Sequence, residues 1–200
     1  MSDMALHITD AVEYEQRRFT VDEYHRLVEV GILDQDERVE LLDGLLILMS
    51  PIGMDHWKSH GRVSRYLVEV LRGRAFVVPG GSFPLGLRDE PQPDIAILPP
   101  KWPDSSDRPQ PPHDTLAFIE ISDSSLRKDA RLKAGLYGKA RISDYLIVDV
   151  NANVVLHHTE PREEGYASIR RLTAGDRFRL TTIPDVEFEA REFLAPRRDT

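Results

Sequence analysis

The fold of this 200-residue chain is decided by residues 118–150, FIEISDSSLRKDARLKAGLYGKARISDYLIVDV. Residues 116–121 are almost wholly apolar and carry one acid, Glu120, as a strand buried on both faces would if its end met a site. Residues 125–139 then carry apolar side chains at helical spacing, and residues 144–150 form a second apolar run. Strand, helix and strand in this order predict a parallel crossover unit.

Several elements are predicted upstream of this unit. Thr20, with Glu23 three residues later, can cap a short helix that ends near Gly31. Residues 38–49 are apolar and interrupted by Asp43 and Gly44, which predicts a hairpin with a tight turn. A longer helix is predicted within residues 56–73, because their apolar side chains fall on one helical stripe. Short β-like segments are expected at 75–78 and 82–87, followed by a strand at 94–98.

The segments around and after the unit complete the architecture. Residues 99–112 are rich in proline and predict a long loop, either a mobile flap or a partner contact. Alternating segments at 154–159, 166–172 and 177–182 predict an antiparallel extension of the sheet. The predicted fold class is therefore α/β, a central mixed sheet flanked by helices. We expect an N-terminal extension over residues 1–18 and a single domain over residues 19–195.

Composition narrows the possible functions. The chain lacks cysteine, so a bound metal must have oxygen or nitrogen ligands, and hard cations such as magnesium come first. A net charge of −8 argues against a protein that coats nucleic acid, although an acidic protein can still have a locally basic cleft. No basic leader or membrane-length apolar run is present, so we expect a soluble, cytoplasmic protein without membrane contact.

Two acids at the ends of neighbouring predicted strands, Asp94 and Glu120, are the strongest candidates for chemistry. Their oxygens could hold a divalent ion that polarises a phosphate and activates water. The plainer alternatives are that Asp94 caps a turn and that Glu120 forms a structural salt bridge with Arg127 or Lys133. His157 and His158 are set aside as a metal pair, because adjacent strand residues point to opposite faces.

Three segments resemble the Uma-two family of restriction endonuclease-like proteins, within the PD-(D/E)XK superfamily. RVELLDGLLILMSPIG (38–53) looks like the family's opening hairpin, and EPQPDIAIL (90–98) like its Pro-Asp strand. Residues 118–150 look like its acid strand, helix and following strand. The resemblance covers about residues 19–158 and implies a restriction endonuclease-like fold.

The resemblance also implies roles for individual residues. Asp94 and Glu120 match the motif acids, and Glu40 is implied as an additional acid near the metal. The superfamily lysine normally stands two residues after the glutamate, where this chain has Ser122. Lys133 matches a migrated lysine on the following helix, with Lys128 in reserve; a surface charge paired with Asp129 is the alternative for Lys133. The remaining candidates are the Ile121 main-chain carbonyl for the metal, and His56, Arg127, Lys128 and Tyr137 for substrate.

The function implied is that of an endonuclease that hydrolyses DNA with Mg²⁺ or Mn²⁺. Cutting both strands of a duplex with one active site per chain favours a homodimer. A non-catalytic protein that keeps the nuclease fold as a binding or regulatory module is the alternative. A glycoside hydrolase that uses Glu40 and Glu120 has less support, because no sugar-stacking aromatic residues accompany the pair.

Overall fold

A six-stranded mixed sheet forms the centre of the computed structural model, which describes residues 16–34, 36–102 and 115–196. Its strands lie in the order β3 (Phe76–Pro79), β4 (Ile95–Leu98), β5 (Ala117–Ser122), β6 (Asp144–Asp149), β7 (Val154–Arg162) and β8 (Gly165–Leu172). β5 and β6 pair in parallel, and the other neighbours pair antiparallel. Helices on the sheet confirm the predicted α/β class, and most of the predicted 99–112 loop lies outside the described residues.

The connection from β5 to β6 confirms the predicted crossover unit but differs from it in one detail. It consists of α3 (Leu126–Lys128), a π turn at Asp129–Lys133 and α4 (Ala134–Lys139), where an uninterrupted helix was predicted. β5 and β6 are buried along their whole lengths, which explains why both sequences are almost continuously apolar. The π turn carries Lys133, so the interruption falls within the predicted site.

The N-terminal elements follow the sequence prediction closely. Helix α1 (Val21–Glu29) begins with the reciprocal capping box of Thr20 and Glu23. Strands β1 (Val39–Leu42) and β2 (Leu45–Leu48) form the hairpin, and Asp43 and Gly44 both have positive φ, as a two-residue type I′ turn requires. Helix α2 spans Met54–Val70. None of the helices described is long and apolar enough to cross a membrane.

The C-terminal segments divide between two sheets. β7 and β8 extend the central sheet as predicted, whereas β9 (Arg177–Leu180) and β10 (Ile183–Glu189) form a separate two-stranded sheet. Their apolar side chains join the core on the α2 face of the central sheet. His157 and His158 lie on opposite faces, one bonded to Asp144 and the other beside Tyr145.

The prediction of a β-like segment at residues 82–87 is wrong. The chain there forms an irregular excursion, closed by bonds from the N–H of Phe83 to the carbonyl of Pro91 and from Leu85 to Asp89. Pro84 lacks a backbone donor, and Gly86 has a φ of 154°, so the segment cannot join a regular ladder. The alternating apolar residues of this segment suggested a strand, but its proline and glycine determine the conformation.

The register of β4 and β5 brings the two predicted acids together. Ile95 pairs with Ile119 in this antiparallel ladder, so one further step places Asp94 opposite Glu120. Opposite residues of an antiparallel pair project from the same face, here the face covered by α3, the π turn and α4. Neighbouring antiparallel strands therefore place the start of one beside the end of the next.

Candidate active site

Asp94 is held at the entry to β4 by two protein donors. Its Oδ2 accepts a hydrogen bond from the N–H of Ile121 at 2.7 Å and lies 3.1 Å from Nε2 of His56. Burial works to raise the pKa of Asp94, but these bonds and the His56 charge outweigh it and lower the pKa. The hydrogen bond to Asp94 correspondingly raises the pKa of His56. Asp94 is therefore an ionised acceptor whose direction is fixed from two sides.

Glu120 is an almost fully buried carboxylate, with 4% of its surface exposed. Its Oε1 accepts bonds from Nζ of Lys133 at 2.8 Å and from the hydroxyl of Tyr137 at 3.0 Å. Burial raises the pKa of Glu120 to about 8, although the Lys133 charge acts in the opposite direction. Glu120 therefore does form the structural salt bridge with Lys133 that was the alternative prediction. Glu120 also lines the cavity of the site.

Lys133 links Glu120 to a second buried acid, Glu40. Its Nζ lies 2.8 Å from Glu120 and 3.0 Å from Oε2 of Glu40, whose Oε1 lies 2.7 Å from Nζ of Lys128. Burial works to lower the pKa of Lys133, but the two carboxylates raise it above its ordinary range. Burial likewise opposes ionisation of Glu40, yet Lys133 and Lys128 lower its pKa. The cluster thus has Lys133 between the two buried acids and Lys128 on the other oxygen of Glu40.

The π turn gives Lys133 its position. Its first residue, Asp129, is buried and accepts hydrogen bonds from the hydroxyls of Ser122 and Ser125. Burial raises the pKa of Asp129. Lys133 itself is 1% exposed, so the alternative of a surface charge paired with Asp129 does not describe it. Ser122, which stands at the superfamily's usual lysine position, instead helps to hold the turn that carries Lys133.

The predicted residues divide between the cavity and its surroundings. A cavity of about 50 Å³ is lined by His56, Asp94, Glu120, Ile121, Lys128 and Lys133. Glu40 and Tyr137 are fully buried and lie behind this cavity, bonded to the residues that line it. Arg127 lies on the exposed side of α3 and lines an adjoining cavity.

Two residues of the cluster, Gln92 and Asp129, were not predicted from the sequence to belong to the site. Gln92 donates its N–H to Glu40, and its carbonyl accepts a bond from Lys133 at 3.4 Å. Asp129 holds the π turn. Gln92 lies two residues before Asp94 in a proline-rich segment, where nothing in the sequence pattern distinguishes it. Asp129 could have been found, because an acid beside the apolar residues of a helix face is a signal for a buried polar group.

The oxygen donors of the cavity fit a hard divalent cation. Among described residues, Oδ1 of Asp94 and Oε2 of Glu120 accept no hydrogen bond, while the second oxygen of each carboxylate is held by protein donors. Across the described ranges, no three or more histidine or acidic side chains come together in a group that could hold a metal ion without other ligands. The remaining oxygens of these two carboxylates could therefore hold such a cation and leave room for the water ligands that Mg²⁺ prefers.

Comparison with known proteins gives a consistent assignment. The model of the Uma2 family, described as "Putative restriction endonuclease", matches residues 21–192. A crystal structure from Anabaena variabilis, described as "a putative nuclease belonging to DUF820", superposes with a TM-score of 0.62 at 12% identity. The match covers 88% of this chain and 97% of that one, and it confirms the nuclease-like fold. Comparison with curated protein sequences finds no match.

Proposed function

The chain belongs to the Uma2 nuclease family, and from this premise we propose that it is a metal-dependent endonuclease that hydrolyses phosphodiester bonds in DNA. The observation that carries the proposal is the pairing of Asp94 and Glu120 on one face of the sheet, within reach of the Lys133 amine. Acidic oxygens beside a fixed ammonium suit the hydrolysis of a phosphodiester, whose transition state gains negative charge.

The residues would divide the work as follows. Asp94, Glu120 and the main-chain carbonyl of Ile121 would hold Mg²⁺ or Mn²⁺, which when bound supplies a Lewis acid and activates water. His56 and the N–H of Ile121 fix the direction of Asp94. Lys133, whose pKa is raised, remains an ammonium at neutral pH and so orients water and stabilises developing charge.

Four further residues support the acidic pair or lie where the substrate would approach it. Glu40 balances the charges of Lys133 and Lys128, and Tyr137 holds Glu120 from behind. Arg127 and Lys128 lie at or beside the mouth of the site, where cations can contact backbone phosphates. Cleavage of both strands of a duplex would further need a homodimer, in which two copies of the site act together.

The direct test is cleavage of plasmid and single-stranded DNA by the purified protein, with Mn²⁺ or Mg²⁺ and with chelator. We expect metal-dependent cleavage that Asp94→Ala, Glu120→Ala and Lys133→Ala each abolish. Asp123→Asn is the matched control, because Asp123 lines the same cavity without being a proposed ligand. Cleavage by all three variants at the parent's rate would refute the assignment.

A non-catalytic nuclease-fold module is the second candidate. The observation that favours it is that Glu120 and Glu40 already form salt bridges with lysines of the chain, Glu120 with Lys133 and Glu40 with both Lys133 and Lys128. Calorimetric titration with Mn²⁺ separates the two candidates, because the nuclease must bind the ion and lose it in the Asp94 and Glu120 variants. An unaltered protein that takes up no ion would favour the module.

A further inference from the structure

Two larger cavities adjoin the candidate active site through different residues. The tryptophan cavity, of about 330 Å³, includes Trp57 and shares His56 and Asp94 with the site. The arginine cavity, of about 500 Å³, includes Arg127 and shares Lys128 with it. The central cavity of about 50 Å³ has room for little beyond an ion and its water. A nucleic acid that places a phosphate at the centre therefore has these two neighbouring cavities available for the rest of its contacts.

The arginine cavity has the chemistry of a phosphate-binding surface. Arg127 and Arg131 are exposed and Lys128 is partly exposed, so three cations lie along α3 and the π turn. No salt bridge to Arg127 or Arg131 occurs within the described part of the chain. Free guanidinium groups next to a phosphodiester site suit the DNA backbone, which they recognise independently of base sequence.

The tryptophan cavity has a different character. The side chain of Trp57 is 66% exposed at the first turn of α2, directly after His56. Within the described residues no aromatic ring or cation packs on its indole. Gly80 contributes to the same wall, and a Cβ placed there would meet nothing within 4 Å. An apolar, flat and accessible ring therefore lies beside Asp94 with open space around it.

We propose that the tryptophan cavity binds an unstacked nucleobase on Trp57, so that the site engages a single-stranded stretch of DNA. This rests on the proposed function, because it names the substrate form of the same site. An exposed indole stacks only on a base with an uncovered face, and bases inside a duplex have both faces covered by their neighbours. Cations on one side and a stacking platform on the other are the two components of single-strand recognition.

A second copy of this chain is the competing occupant of the exposed apolar surface. Trp57 lies near exposed Ile52 and Met54, and such a group of side chains could form part of a dimer contact. DNA is favoured because the cavity is lined by Asp94, a proposed metal ligand, so a partner protein seated there would lie against the candidate active site. The positive side chains of the arginine cavity also match a polyanion.

The test measures binding by the full-length protein in chelator, so that no cleavage occurs. Because the chain has two tryptophans, a Trp102→Phe background leaves Trp57 as the only indole. Titration with a short mixed-sequence single strand should quench its fluorescence. The Trp57 variants lack this indole, so their binding is compared with the parent's by the fluorescence anisotropy of a dye-labelled strand. Trp57→Ala should weaken single-strand binding at least about 5-fold, with little change for the matching duplex, and Trp57→Phe should retain most of it. Val68→Ala is the matched control, because Val68 is another exposed apolar residue of α2 and lies outside these cavities.

Each outcome is decisive. Equal weakening of single-strand and duplex binding, no effect of Trp57→Ala, or no binding of DNA by the parent would overturn the proposal. So would conversion of a dimer into a monomer by Trp57→Ala in sedimentation, which would assign the surface to a second copy. Trp57-dependent single-strand binding by a protein that cleaves nothing with Mn²⁺ would instead refute the endonuclease assignment while leaving the stacking site in place.

Discussion

Glu120 shows at the scale of one residue how a buried acid can be tolerated and still be available for chemistry. A carboxylate removed from water is costly unless it is paired or bonded. Glu120 meets this requirement with one oxygen only, through Lys133 and Tyr137, and its pKa of about 8 shows that compensation is incomplete. A cation bound at the other oxygen would complete it. The part of the desolvation cost of Glu120 that Lys133 and Tyr137 leave uncompensated is the physical basis of the proposed metal site.

Lys133→Ala should reduce cleavage and stability together. Loss of the ammonium leaves Glu120 and Glu40 buried with less compensation, an effect of about 3–5 kcal/mol on unfolding when a buried pair is broken. Cleavage should fall by about 10²-fold or more. Mn²⁺ should restore part of the stability but not the activity, since the ion replaces the charge and not the oriented donor. Urea unfolding with and without Mn²⁺, beside the cleavage assay, measures both.

Lys128→Ala is the matched control for this prediction. Lys128 also contacts Glu40, but its side chain is 24% exposed and it makes no bond to Glu120. We expect a loss of stability below about 1 kcal/mol, as for a partly solvated pair. If Lys128→Ala abolishes cleavage while Lys133→Ala retains it, the role given to Lys133 belongs to Lys128.

His158 should make the protein sensitive to mild acid. It is buried beside the rings of Tyr145 and Tyr166, and burial lowers its pKa below the ordinary 6.5. A depressed pKa contributes stability above the unfolded-state value, which is lost as pH falls toward the folded-state value. The free energy of unfolding should therefore drop between pH 7.5 and 5.5 by about 1 kcal/mol more in the parent than in His158→Gln. Parallel pH profiles for the two proteins would contradict this.

At the scale of elements, the connection between β5 and β6 packs against β8 through a close backbone contact. A Cβ on Gly138 of α4 would lie 1.9 Å from the carbonyl oxygen of Gly165. Gly138→Ala must therefore push α4 away from β8, and overpacking of this kind costs about 1–3 kcal/mol or more. Thermal unfolding of the variant measures the loss.

Gly135 in the same helix provides the matched comparison. A Cβ there meets no atom within 4 Å, so Gly135→Ala adds only helix propensity. It should leave stability unchanged or raise it by up to about 1 kcal/mol. Equal destabilisation by both substitutions would show that α4 does not approach β8 as closely as described.

Sequence predicted most of these elements because their signals are local. Thr20 and Glu23 cap α1, Asp43 and Gly44 specify the hairpin turn, and continuous apolar runs mark β5 and β6. The π turn was not predicted, because the side-chain bonds from Ser122 and Ser125 to Asp129 that accompany it change no apolar position in the helical pattern. The spacing of apolar residues predicts which face of a helix is buried, but it does not predict an inserted residue that rotates this face.

The site residues likewise include some that the sequence could predict and some that it could not. Asp94 and Glu120 were identified from strand ends and from the resemblance, and the antiparallel register of β4 and β5 brings them together. Gln92 and the bond from His56 to Asp94 depend on how the hairpin and α2 pack against the sheet. Such contacts join residues about 40 to 50 positions apart, and no local pattern encodes them.

At the scale of the whole molecule, the site joins elements from most of the chain. Glu40 comes from β1, His56 from α2, Asp94 and Glu120 from the central sheet, and Lys133 from the crossover. An ion bound by Asp94 and Glu120 would therefore connect the sheet to every element that contacts these acids. Metal binding should accordingly be visible in the global unfolding transition, because a ligand that binds only the folded state stabilises the whole cooperative unit.

Mn²⁺ should raise the unfolding temperature of the parent protein. At about 100 times its dissociation constant, an ion adds about 2.7 kcal/mol, which corresponds to roughly 5–10 °C for a domain of this size. Asp94→Asn and Glu120→Gln keep the side-chain shape but remove the charge, so their transitions should not move with Mn²⁺. Asp123→Asn should respond like the parent, since its carboxylate is no proposed ligand. Differential scanning calorimetry in Mn²⁺ and again after chelation measures the shift, and a parent transition indifferent to Mn²⁺ would remove the metal from the mechanism.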